Sequence, residues 1–538
     1  MGTIEGKVEY RVGKQIATFL GVPYAKPAIG SLRFEKPQNL TKFDQIYRAT
    51  VEKPACLQWK GKNQVARLPK SELFPDFHAV NDSEDCLYLN IYAPIETRDK
   101  PKTVMVWIHG GAFLRGFINF HVYDGAMLSA FGEVVVVFVS YRLGIMGFMS
   151  AGEKQLPGNL GLLDQVFALK WIRANIYAFG GDPNKIVLFG QGSGAVSIGY
   201  HLISPLSQHL FQRAIMQSGN PLSPTFLLGS GSAPYKLEKV AKRSGCSFSK
   251  KNQSFLPKFE NATIDCLRQV SANSLILFQE ELLNQTIDTV FYPIEDGEFL
   301  NRHPFDSVYL QKFGSQQEVL MGRNSNEGSF YVWLALPFLY LDSKKISNVT
   351  IEEIKDELKE FGPRKARQYY EHLFPSILSK FKKPNATIAR KELEKLIQKV
   401  FFTCPEMKFI DAFTNAGKRV YYYELAHETE NSPWPKSMTG SKHFDEIQYI
   451  FGHPLTQPRK YTFQEIQLSL DLMRNWISFA KTGKPYLKKW TANSVKSKSK
   501  FVFDKYNYQV FNRFNASECA LHDEVVTVAA SILRYYDD

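Results

Sequence analysis

The chain has 538 residues, 44% of them hydrophobic and 22% charged, an ordinary balance for a soluble globular protein. Its 66 basic and 53 acidic residues leave a net charge of +13. The densest basic run, Lys496, Lys498 and Lys500, is interleaved with serine and no nucleic-acid-binding signature accompanies it, so the charge reads as a solvated surface and nucleic acid is not an expected partner. No stretch of about 18 apolar residues occurs, so no membrane span is expected.

Met1 to Gly6 lacks both an apolar leader core and the hydroxyl residue of a myristoylation pattern. Either a secretory leader has been removed or the chain has been recloned, and the chain reads as a secreted protein. Val104–Ile108 and the β-branched run Val134–Val139 predict buried strands. Ile186–Phe189 predicts another, followed by a glycine-rich turn and a helix at Ala195–Ile203. Ala214–Met216, Val319–Met321 and Val420–Tyr423 complete the strand set. Strands alternating with helices predict an α/β fold: a large, mostly parallel central sheet flanked by helices. Lys60–Val80, polar Ser230–Asn261 and helical Ile351–Leu396 read as insertions. No linker or repeat divides the chain, so residues 1–538 read as one domain.

Six cysteines (Cys56, Cys86, Cys246, Cys266, Cys404 and Cys519) make an even set without a C-x-x-C pair. Metal binding is therefore not expected, and no cofactor motif is present. Eight N-x-S/T sequons begin at Asn39, Asn81, Asn252, Asn261, Asn284, Asn348, Asn385 and Asn515. Together these features predict an oxidising, extracellular setting, glycosylation and three disulfides whose pairing the spacing leaves open.

The segment Gly190-Gln-Gly192-Ser193-Gly194 joins a strand to a helix, the form of a G-x-S-x-G nucleophile elbow. Its middle position, which adopts a strained backbone, is glycine, and serine stands one place later. Further marks are Phe19-Leu-Gly-Val-Pro-Tyr-Ala-Lys-Pro, Ser83-Glu-Asp-Cys-Leu-Tyr-Leu-Asn, His109-Gly-Gly-Ala-Phe, Gly158-Asn-Leu-Gly-Leu-Leu-Asp-Gln, Phe179-Gly-Gly-Asp-Pro and Gln217-Ser-Gly. By these motifs the chain resembles the type-B carboxylesterases, which include cholinesterases and non-enzymatic adhesion proteins. The resemblance covers nearly the whole chain and implies an α/β-hydrolase fold, with insertions over the site. It also implies the pairings Cys56–Cys86, Cys246–Cys266 and Cys404–Cys519.

The same resemblance implies an oxyanion hole from the amides of Gly110, Gly111 and Ser193. It implies a triad acid at Glu327, within Gly322-Arg-Asn-Ser-Asn-Glu-Gly, and a base at His443, within Gly440-Ser-Lys-His-Phe-Asp-Glu. Gly192 takes the nucleophile's place without a side chain that can attack a carbonyl. The expected function is thus a catalytically silent or severely impaired esterase scaffold. It binds an apolar ester or acid, or a protein partner. The alternative is an active carboxylic ester hydrolase, through Ser193 or in a parent with serine at 192. At the place of the cholinesterases' cation-binding tryptophan the register puts Asp76, with Phe77 beside it and Trp59 too far upstream, so choline specificity is not expected. Phe330, Tyr331 and Trp333 are candidates either to line a gorge or to fill the core.

Overall fold

The computed structural model describes the chain outside residues 1, 62–70, 72, 75–76, 96–99, 154, 224–232, 251–256, 286–290, 317, 341–345, 347–348, 361–377, 380–384, 505–507, 513–518 and 520–538. Among the described residues eleven strands build one sheet. They are β1 (Lys7–Arg11), β2 (Lys14–Pro23), β3 (Tyr88–Pro94), β4 (Lys102–Ile108), β5 (Val135–Val139) and β6 (Gly181–Gln191). β7 (Arg213–Gln217), β8 (Glu318–Asn324), β9 (Arg419–Leu425), β10 (Ser499–Phe503) and β11 (Gln509–Asn512) follow. In space they run β11-β10-β9-β8-β7-β6-β4-β5-β3-β2-β1. Pairing is parallel from β10 through β5 and antiparallel at both margins. This is the mostly parallel sheet of an α/β-hydrolase.

Alternation along the central strands explains why they are buried on both faces. Val104, Val106 and Ile108 of β4 join one core with Val135, Val137 and Val139 of β5. Met105 and Trp107 join the opposite core with Val136 and Phe138. Successive side chains leave a strand on opposite faces, so a continuous apolar run requires helices on both. Helices α1 (Leu160–Asn175) and α2 (Ser193–Ile203) cover the first face, and α4 (Phe463–Thr482) covers the second. Between them in chain order lies α3 (Glu327–Ala335), which starts just after β8. α4 is held at its start by a capping box between Thr462 and Glu465, and it ends at Gly483 in a left-handed conformation.

The sequence expectations for the central strands hold, with ends extended by a few residues except in β5, which starts one residue later than expected, at Val135. The marginal strands β1 to β3, β10 and β11 lay outside that reading. β1 is polar and mostly exposed, so no apolar pattern marks it. The segment Ser230–Asn261, read as a polar insertion, contains a helix at Ala233–Ser244 that buries Leu237, Val240 and Ala241. Ile351–Leu396 holds helices at Ile351–Glu360 and Ala386–Gln398, with residues between them outside the described set, as is much of Lys60–Val80. All three disulfides pair as the resemblance implied, Cys56–Cys86, Cys246–Cys266 and Cys404–Cys519. No helix among the described residues is long and apolar enough to cross a membrane.

The chain moves from β4 to β5 on one side and returns to place β6 on the other. The crevice at the carboxyl ends of β4 and β6 is therefore a topological switch point, where such sheets bind ligands. Near it, Arg142 after β5 donates to Asp164 of α1 from its backbone N (3.1 Å), Nε (2.7 Å) and Nη2 (2.7 Å). Both side chains are buried, so removing the carboxylate leaves an unpaired guanidinium. Asp164→Ala is expected to cost about 3–5 kcal/mol of stability, measured by urea unfolding.

Candidate functional site

Two loops meet at the switch point. β6 ends at Gln191 and α2 begins at Ser193, so Gly192 alone makes the turn, at φ 57° and ψ −123°. Side chains rarely tolerate that conformation, whereas glycine adopts it without strain. The Gly192 amide donates to the Gln217 carbonyl (2.9 Å), and its own carbonyl accepts from Val196 (3.0 Å). Gly194 lies so close to β4 that an added Cβ would stand 2.0 Å from the Ile108 carbonyl oxygen. Hence the loop after β4, His109-Gly110-Gly111, is pressed against the elbow. Among the described residues no protein acceptor faces the amides of Gly110, Gly111 or Ser193. His109 is stacked on Tyr141 (4.5 Å), and burial pushes its pKa down to about 4.

Glu327 and His443 come together. β8 delivers Glu327 to the first turn of α3, where the Asn326 side chain caps the helix. Glu327 Oε2 lies 2.6 Å from His443 Nδ1. Its other oxygen accepts from the Ser218 hydroxyl (2.6 Å) and the Asn324 amide (2.7 Å). The carboxylate is fully buried, and these bonds replace the water it lost. Burial opposes charge on the imidazole, but the adjoining Glu327 carboxylate outweighs it, so the His443 pKa lies above the ordinary value. Burial likewise raises neighbouring Glu446, to about 7, with the charge of Glu327 adding to the effect.

Gly192 completes the arrangement by geometry alone. A Cβ built on it would lie 3.3 Å from His443 Nε2 and 3.7 Å from its Cε1. A hydroxyl on that carbon would be within hydrogen-bond reach of the ring. Ser193 is not placed to substitute: its Oγ accepts from the Phe113 amide at 3.2 Å, on the side of the β4 loop. α2 has no side-chain cap, and the bond crosses to another loop. The Gln191 carboxamide nitrogen stands 3.0 Å from His443 Nε2. With Nδ1–H donated to Glu327, the Nε2 lone pair accepts this N–H.

The chain matches the carboxylesterase family over residues 1–522. It belongs to that family. It is 34% identical over 494 residues to the cholinesterase of Mus musculus, covering 90% of this chain and 78% of that one. Identity to the acetylcholinesterase of Leptinotarsa decemlineata is 31% over 559 residues, covering 97% and 84%. For the acetylcholinesterase of Bungarus fasciatus it is 33% over 487 residues, covering 90% and 78%.

The aromatic candidates of this carboxylesterase-family chain separate. Phe330 (5.3 Å) and Tyr331 (5.7 Å) flank the His443 ring, whereas Trp333 packs on Tyr340 (5.6 Å). Asp76 lies outside the described residues; Phe77 is buried against Phe117 (6.2 Å). Sequence reasoning missed Ser218, Gln191 and Phe402, the last 5.8 Å from His443. Of these Gln191, beside the elbow, and Ser218, within Gln217-Ser-Gly, had a local signal. The pairing predicts that His443 titrates by NMR above the ordinary imidazole value of about 6.5. Glu327→Gln, which removes the charge that favours the imidazolium, is expected to lower that pKa.

Proposed function

We propose that this protein is a non-catalytic member of the carboxylesterase family that uses the former reaction site to bind a small ester or acid. The observation that carries the reading is the Gly192 backbone beside His443. The elbow conformation and the 3.3 Å approach of a would-be Cβ to Nε2 correspond to a nucleophile's seat, and the residue there has no hydroxyl. In this reading Glu327 orients the imidazole, and the amides of Gly110, Gly111 and Ser193 receive a ligand carbonyl oxygen. Loss of the serine in serine hydrolases lowers turnover roughly a millionfold. The anchored Ser193 hydroxyl argues against a surrogate, since displacement by even about 1 Å costs roughly a hundredfold.

Extracellular residence belongs to the same proposal. Three disulfides support it. Among the sequons, Asn39, Asn81, Asn261 and Asn385 are exposed and open to glycosylation. Asn252, Asn348 and Asn515 lie outside the described residues, and so does the side chain of Asn284.

A second reading, an ester hydrolase in a parent with serine at 192, is favoured by the complete Glu327–His443 pair. One variant addresses both. Gly192→Ser is expected to raise turnover of a p-nitrophenyl ester by at least about a thousandfold over a near-zero baseline. It should also cost about 1–3 kcal/mol of stability, because serine must adopt a left-handed backbone. The activity should rise with pH through the elevated pKa of His443, since only the neutral imidazole accepts the serine proton. A folded variant with no added turnover would contradict the assignment of the site, and substantial turnover by the unaltered chain would contradict its silence.

A further inference from the structure

The loop that supplies Gly110 and Gly111 also carries a cation. Gly111, at φ 115°, folds the chain back so closely that a Cβ there would stand 2.0 Å from the Arg115 carbonyl oxygen and 3.3 Å from its Cγ. The Arg115 guanidinium is set over two rings, 4.6 Å from the centroid of Phe77 and 5.4 Å from that of Trp59. Its Nη1 is enclosed and finds no hydrogen-bond partner. Among the described residues Arg115 makes no ion pair. Burial lowers its pKa only to about 10, so it remains charged at neutral pH.

A buried guanidinium N–H without an acceptor is uncommon and asks for a partner. A chain of rings connects it with the imidazole. Phe77 meets Phe117 (6.2 Å), Phe117 meets Phe120 (5.9 Å), and Phe120 stacks on Phe444 (6.0 Å), the residue after His443. These packed rings make the stretch from Arg115 to the residue beside His443 apolar.

We propose that Arg115 is an anion-recognising subsite, so that the ligand of this site is an aromatic or aliphatic carboxylate with its acid group paired to the Arg115 guanidinium. The inference rests on the reading of the site as a ligand-binding one, and it names the ligand class. Aromatic faces attract organic cations, but here Arg115 already occupies the faces of Phe77 and Trp59. A quaternary ammonium would meet a like charge in place of a free ring, whereas a carboxylate supplies the missing acceptor.

The test is calorimetric titration of the full chain with three probes of similar shape: hydrocinnamate, its methyl ester and phenethyl-trimethylammonium. Hydrocinnamate is expected to bind at least about tenfold more tightly than either of the others. Arg115→Met should remove that preference, and Arg115→Lys should keep part of it, with thermal unfolding reporting that each variant is folded. The ranking in the unaltered chain stands as a test even if a variant fails to fold. Equal affinities, a preference for the ammonium, no binding of any probe, or an unchanged preference in folded Arg115→Met overturns the proposal. Ester turnover by the unaltered chain would overturn the non-catalytic reading and leave this ranking untouched.

Discussion

The 2.6 Å contact between Glu327 and His443 is the interaction around which the site is organised. A buried carboxylate is costly unless every lone pair finds a donor. Glu327 therefore draws in Ser218 from the end of β7 and Asn324 from the end of β8, while His443 arrives on the loop after β9. Three strand ends are thereby fixed relative to one another. Asn324 extends the network by donating to Glu446 at 2.6 Å, and Ser441 donates to Asn324 at 3.2 Å. The pair is thus a structural tie as well as a chemical one. That gives the pair a physical role independent of any reaction.

Glycine at 192 leaves the fold untouched for the same kind of reason. The elbow demands a left-handed backbone between a strand that cannot lengthen and a helix packed against β4. Serine at that position stores strain, and glycine relieves it. A serine there would add one hydroxymethyl group beside the imidazole. With glycine, the Gln191 carboxamide holds the hydrogen bond on Nε2. A ligand that engages the ring must displace that carboxamide or share its donor.

Much of this was legible in the residues. Val134–Val139 announced a doubly covered strand because alternation and β-branching leave few other homes for such a run. Gly190-Gln-Gly-Ser-Gly announced the elbow, because two flanking glycines report close approach of strand and helix. What stayed hidden has a common cause. β1 lies at the sheet margin, where an exposed, polar sequence carries no apolar signature. Ser218 stood within a visible motif, Gln217-Ser-Gly, but its partner Glu327 is far away in sequence, and no local spacing marks Arg115. Ser193, read into the turn before the helix, heads α2 and spends its hydroxyl on Phe113, a contact visible only once the two loops are packed together.

The central claim is that no hydroxyl in this site is able to acylate. Intact-mass measurement after incubation of the unaltered protein with a fluorophosphonate tests it most directly. The mass is expected to stay unchanged while a serine hydrolase control is fully modified. A stoichiometric adduct mapped to Ser193 would contradict the account.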